Sequence, residues 1–164
     1  MKTNLFTFFL CILCSGIYAQ VNSITIDASL DDKKHTLNIQ QETIFYNNSD
    51  STLTEIYLHN WANSFKNKKT PLTNRFIEDY DKSLYFAKEK DRGFSNIHSI
   101  SVNRELATYN ELKKQIDILK VDLKTPLLPK DSIVISATYS VKLPNSKFTK
   151  YGRTARGYHL RYWN

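Results

Sequence analysis

This chain has few of the residues that interrupt or cross-link a fold. Its 164 residues include four Gly, four Pro and two Cys. So little Gly and Pro excludes collagen-like and low-complexity chains. Both cysteines, Cys11 and Cys14, sit near the start, so from residue 20 onward no thiol is available for a disulfide, a cysteine zinc site or a nucleophile. No Gly-x-Ser-x-Gly elbow occurs, and Gly93, Gly152 and Gly157 form no phosphate-cradling loop. No apolar run approaches the roughly 20 residues that a membrane-spanning helix needs.

What is present is ordinary for a globular chain: 41% hydrophobic and 24% charged residues, with aromatics at 13%. Ten Tyr, nine Phe and two Trp lean the chain towards strands, because large flat side chains fit a pleated surface. The length allows one domain and excludes a complete two-domain enzyme within it.

The first 19 residues read as a secretory signal peptide. Lys2 gives a positive start, residues 5–14 an apolar stretch, and Ser15-Gly16-Ile17-Tyr18-Ala19 a small-residue exit before Gln20. Leu13 ahead of Cys14 speaks against a lipoprotein anchor. The protein is therefore expected to be exported, to the periplasm, the cell surface or the medium, with no transmembrane segment after processing. Losing Lys2 takes 23 basic residues to 22 against 16 acidic, a net charge of +6. An exported protein seldom meets nucleic acid, so the charge is read as solvated lysine and no nucleic-acid partner is assigned.

From residue 20 the pattern is mainly β, expected as an antiparallel sandwich or saddle-shaped sheet with a short helical insertion around residues 71–90. Ile24, Ile26, Ala28 and Leu30 alternate with polar residues, Asp31 to Lys34 form a turn, and His35 to Tyr46 return as a second strand. Leu37 and Ile39 are odd-numbered while Ile44 and Tyr46 are even, which predicts a bulge between Gln40 and Thr43. A turn at Asn47 to Asp50 precedes a third strand, Leu53 to Leu58. The Asn- and Lys-rich residues 60–70 read as an exposed connection.

Leu72, Phe76, Tyr80, Leu84 and Ala87 are spaced for one helix face or two short helical turns, which Arg92-Gly93 ends. Strands come next at Ile97 to Val102 and at Gln115 to Leu123, the second after a turn around Asn110. Pro126 to Asp131 is a tight connection. The cleanest alternation is Ile133, Ile135, Ala137, Tyr139, Val141 and Leu143, closed by Pro144. At about 3.3 Å per residue this strand is roughly 36 Å long.

No catalytic, cofactor-binding or metal-ligating residue is assigned. A zinc-protease helix carries two His four apart with Glu after the first, so that both rings face one metal and the carboxylate activates its water. His35, His59, His98 and His159 have no such spacing. Glu78, Asp79 and Asp81 cluster, but on the polar side of the expected helix. Lys147, Lys150, Arg153, Arg156 and Arg161 are interleaved with Tyr151, Tyr158, Tyr162 and Trp163. That mixture reads either as an anion- or glycan-binding surface or as an interrupted strand, with Tyr158, Leu160 and Tyr162 on one face and its partner missing.

Several stretches in order resemble one family: Ile24-Thr25-Ile26-Asp27-Ala28-Ser29-Leu30-Asp31, His35-Thr36-Leu37, Glu42-Thr43-Ile44-Phe45-Tyr46-Asn47-Asn48-Ser49 and Leu53-Thr54-Glu55-Ile56-Tyr57-Leu58-His59-Asn60-Trp61. These are similar to the opening of the N-terminal β-domain of bacterial zinc aminopeptidases of the aminopeptidase N (gluzincin) family. Leu127-Leu128-Pro129-Lys130-Asp131-Ser132 with the strand to Pro144 resembles that domain's later part. Phe148-Thr149-Lys150-Tyr151-Gly152 and Tyr158-His159-Leu160-Arg161-Tyr162-Trp163 resemble the family's next stretch of chain.

The resemblance implies a β-domain, residues 20–164 and incomplete at its C-terminal end, preceding a thermolysin-like catalytic domain. The zinc ligands, the catalytic Glu and the amine-binding residues lie further along in that family, and none is matched here. The resemblance therefore implies an exported zinc metallopeptidase acting on peptide N-termini, with zinc in the full-length parent and none in this chain. The partners implied are the catalytic domain of the same chain and the parent's peptide substrate. The competing expectation is a self-contained secreted β-sandwich that binds through its basic-aromatic end.

Overall fold

The computed structural model describes residues 22–160. The expected signal peptide, and Arg161, Tyr162 and Trp163, lie outside the described residues. The strands are β1 (Ser23–Asp31), β2 (Thr36–Tyr46), β3 (Leu53–His59), β4 (Phe94–Val102), β5 (Glu105–Leu106), β6 (Tyr109–Leu112), β7 (Gln115–Leu127), β8 (Ser132–Lys142), β9 (Tyr151–Arg153) and β10 (Tyr158–Leu160). Among the described residues one α-helix, α1 (Pro71–Glu78), and 3-10 turns at Trp61–Phe65 and Glu89–Asp91 interrupt them. The chain is mainly β, with open antiparallel sheets.

A five-stranded sheet runs β1-β2-β8-β4-β5, a three-stranded sheet β3-β7-β6, and β9 with β10 makes a hairpin. In β8 the odd-numbered residues Ile133, Ile135 and Val141 are buried, as the alternation requires. Two cores meet this face. At one end Ile100, Ile133 and Ile135 pack against Ile56, Leu119, Val121 and Leu123 of the three-stranded sheet, a sandwich layer. At the other end Leu37, Ile39, Val141 and Leu143 are covered by Ala62, Phe65, Leu84, Phe148 and Tyr151 instead.

The bulge expected in β2 is not there. Pairing of β2 with β1 runs unbroken from Ser23↔Ile44 to Asp31↔Thr36, and with β8 from Thr36↔Lys142 to Tyr46↔Ser132. Phe45 keeps the odd phase of Leu37 and Ile39 and packs into the sandwich core, while Ile44 turns outward and is 40% exposed. The bulge of this sheet lies in β4, where the register with β8 shifts between Ile97 and Ser99. His98 is the extra residue. It switches the inward phase from Ser95 and Ile97 to Ile100 and Val102, a change written in the sequence as alternation that shifts by one.

Two more expectations change. Asn110 lies within β6, and the turn falls at Lys113–Lys114, between paired Leu112 and Gln115. The Asn- and Lys-rich connection is only partly exposed: Asn60, Ala62, Asn63, Ser64, Phe65 and Thr70 are buried. Their amides stand in for sheet partners. Asn63 donates through Nδ2 to Glu111 Oε1 (2.8 Å) and Ile116 O (3.2 Å), and its Oδ1 accepts from Ser95 N (3.1 Å).

The helical insertion is shorter than its spacing suggests. Thr70 caps α1, its Oγ1 accepting from Thr73 N at 3.1 Å, and Pro71 occupies the first turn, where no N–H partner is needed. The helix stops at Glu78, and Tyr80 adopts a left-handed φ of 61° and is 95% exposed. Leu72 and Phe76 pack on the core, but Tyr80 leaves their face, and Leu84 reaches the core from a separate turn.

Candidate functional site

The four histidines do not converge. His35 Nδ1 and Tyr158 Oη are 2.6 Å apart, fastening β10 to the β1–β2 turn. His59 stacks on Trp61, centroids 5.1 Å apart and planes 10° from parallel. His98 is exposed at the β4 bulge and His159 is exposed in β10. Among the described residues no group of three or more His, Cys, Asp and Glu is placed to hold a metal ion.

Glu78 and Asp79 are exposed and pair with Arg75 at 3.6 and 3.3 Å, an i,i+3 and an i,i+4 contact along the helix surface. Asp81 accepts from Ser83 N at 2.7 Å, and Ser83 holds its carboxyl below the usual range. These are local turn contacts.

One charged network lies on the outer face of the three-stranded sheet. Lys120 Nζ is 2.7 Å from Glu55 Oε2 and 3.2 Å from Asp122 Oδ1, and Tyr57 Oη donates to Glu55 Oε1 at 2.6 Å. Lys120 and then Tyr57 keep the Glu55 carboxyl below its ordinary value, and the two carboxylates hold Lys120 protonated. All four groups point to solvent across adjacent strands, where they serve as cross-strand pairs.

Part of the basic-aromatic end is folded inward among the described residues. Tyr151 is 6% exposed and edge-on to Phe65 at 5.7 Å, and burial pushes its hydroxyl pKa up. Arg153 is 3.4 Å from Asp91. Tyr158 is held by His35 and donates to Asp32 O at 3.1 Å. The strand partner expected to be missing is present: β10 pairs with β9 from Tyr158↔Arg153 to Leu160↔Tyr151. These contacts engage Tyr151, Arg153 and Tyr158, while Lys147, Lys150 and Arg156 remain exposed.

Gly152 makes the hairpin possible. Its φ is 139°, a region that residues with a Cβ avoid, and a Cβ there would run into Pro144 O. Gly152→Ala is expected to destabilise the protein by about 2 kcal/mol or more, read as a lowered urea midpoint. An unchanged midpoint would mean that the hairpin is not part of the cooperative unit.

What the described residues offer, then, is surface. β1 is an edge strand whose even-numbered residues share the sheet face of Leu37 and Ile39. Ile24 is 59% and Leu30 42% exposed there, while Ile26 between them packs on the core.

Comparison with family models finds no match, and no curated protein matches the sequence. Solved structures similar to the chain include two of mutant two-domain M1 zinc metallopeptidases. One is bound to L-arginine (TM-score 0.44, 10% identity), the other to L-tryptophan (TM-score 0.42, 10% identity). The matches cover 74% and 77% of this chain but 19% and 23% of those chains, so this chain spans about a fifth of their length. Among the described residues no helix is long and apolar enough to cross a membrane.

Proposed function

We propose that residues 20–164 are the N-terminal, non-catalytic β-domain of an exported zinc metallopeptidase of the aminopeptidase N type. Residues 1–19 are its leader. The reading is carried by the ordered sequence stretches from Ile24 to Trp163: each is weak alone, and together they keep the order of that domain. The mainly antiparallel β architecture supports it, and the exposed Ile24 and Leu30 of β1 are side chains a neighbouring domain can bury. The domain's work is to pack on the catalytic domain of the same chain and wall off one side of its cleft. Zinc and the peptide substrate belong to that catalytic domain, and no residue of this chain is given a part in the chemistry.

The test is the coding sequence beyond Asn164 together with the full-length product. A downstream His-Glu-x-x-His, bound zinc and release of N-terminal residues from peptides are expected there, with neither zinc nor activity in residues 20–164. A natural stop directly after Asn164 in an intact gene overturns the proposal, as does stoichiometric zinc held by residues 20–164 alone.

A further inference from the structure

Two turns that are far apart in sequence place their lysines together. Lys68 and Lys69, ahead of α1, and Lys113 and Lys114, at the tip of the β6–β7 turn, line one open cleft of about 330 Å³. All four are exposed, and no Asp or Glu lines the cleft. The carboxylate of Glu111, in the strand leading to that turn, is taken up by Asn63 at 2.8 Å and by Lys66 at 4.0 Å. Beside the lysines lies an aromatic knob. Lys68 Nζ sits 5.7 Å over the Tyr85 ring, and Tyr85 meets Phe86 edge-on at 5.0 Å. Phe86 is 73% exposed.

We propose that this corner is a docking surface for anionic lipid headgroups, with Phe86 and Tyr85 settling at the interface. Three features choose the partner. The cationic groups are all Lys, compact hydrated charges suited to a diffuse negative surface rather than to bidentate capture of one carboxylate or phosphate. They stand exposed on two separate turns around one open cleft, so an extended negative surface meets more of them than a single anion does. An exposed aromatic pair beside lysines matches the wet, half-apolar boundary of a bilayer. A single anion would need fixed, buried donors, and the buried hydroxyl in the lining, that of Thr70, is already given to Ser64 O at 2.7 Å.

The experiment is sedimentation of the exported protein with vesicles of phosphatidylcholine containing about 30% phosphatidylglycerol, an anionic surface of the kind that draws basic clusters. Each lysine near such a surface is worth about a fivefold gain in partitioning. Replacing Lys68, Lys69, Lys113 and Lys114 together by Gln is therefore expected to weaken binding by about 100-fold or more at roughly 50 mM salt, with the parent's advantage vanishing near 500 mM. The parent and its variants carry the same N-terminus, so any contribution from it cancels in the ratio. The replaced groups are exposed, so an unchanged thermal midpoint is expected and shows that the variant is folded. Phe86→Ser, which keeps every charge, is expected to lose about fivefold by a term that salt leaves alone.

Equal sedimentation of parent and quadruple variant overturns the proposal. So does equal binding to pure phosphatidylcholine. Tighter binding to single-stranded DNA than to vesicles overturns it in favour of a polyanion site, and displacement by millimolar inorganic phosphate would reveal a pocket for one anion instead.

Discussion

Leu84→Ala is expected to cost about 3–5 kcal/mol of stability, the range for emptying a well-packed aliphatic site. Leu84 is 0% exposed, although it lies between α1 and β4 in a stretch with only one short 3-10 turn. It is packed among Leu37, Ile39, Ala62, Phe65, Val141 and Leu143, so it is the plug that lets an irregular segment close one end of the five-stranded sheet. Backbone contacts hold it in place. Arg92 is 8% exposed and donates from Nη2 to Leu84 O (2.9 Å) and Tyr85 O (3.2 Å); burial lowers the pKa of this guanidinium below its usual value. With both neighbouring carbonyls pinned, the segment has little room to collapse into the cavity that alanine leaves, which places the cost in the upper part of that range. The measurement is the shift in urea midpoint at unchanged slope. Phe86→Ala, two residues on and 73% exposed, is expected to cost less than about 0.5 kcal/mol. Equal effects at the two positions would mean that the segment is not docked.

The same contrast shows what the sequence makes legible. Period-2 alternation survives wherever a strand has one covered face, so Ile133 to Leu143 can be read directly and β1 to β3 nearly so. The reading of β2 fails at one residue. Ile44 is as apolar as Phe45, and only the phase set by Leu37 and Ile39, carried across the whole pairing with β8, decides which of them enters the core. In β4 the signal for a bulge was present, since Ile97 and Ile100 are both inward and three apart, a spacing that an unbroken strand cannot satisfy. Residues 60–70 hid their burial because Asn60, Asn63 and Thr70 are polar, and composition cannot tell a solvated amide from one that replaces a ladder partner. The lysine corner was legible only as charge. Lys68 and Lys113 are 45 positions apart, and it takes the β6–β7 turn to bring them into one cleft.

Asn47→Ala is expected to cost about 2–4 kcal/mol, more than a turn asparagine ordinarily would, because several buried groups lose their partner at once. Asn47 is 1% exposed. Its Nδ2 donates to Ser51 O (2.9 Å), Leu128 O (3.1 Å) and Leu127 O (3.3 Å), and its Oδ1 accepts from Ser49 N (3.1 Å) and Ser49 Oγ (2.7 Å). Its backbone N–H donates to Asp131 O, and its carbonyl accepts from Lys130 N, each at 2.9 Å. One side chain therefore ties the β2–β3 turn to the β7–β8 turn, which join the two sheets at the same end of the sandwich. Alanine keeps the backbone bonds but strips the amide from the carbonyl of Leu127, a residue only 2% exposed, where water is a poor substitute. Asn47→Asp separates shape from hydrogen bonding: it retains the volume and the acceptor for Ser49, but turns a carboxylate oxygen towards three carbonyls. It is expected to be at least as damaging as alanine at neutral pH and to recover part of the loss as pH falls and the carboxyl takes up a proton that it can donate. The neighbouring Asn48→Ala, at an exposed position, is expected to stay within about 0.5 kcal/mol. If Asn47→Ala and Asn48→Ala prove equally mild, the two turns are held by their backbones alone.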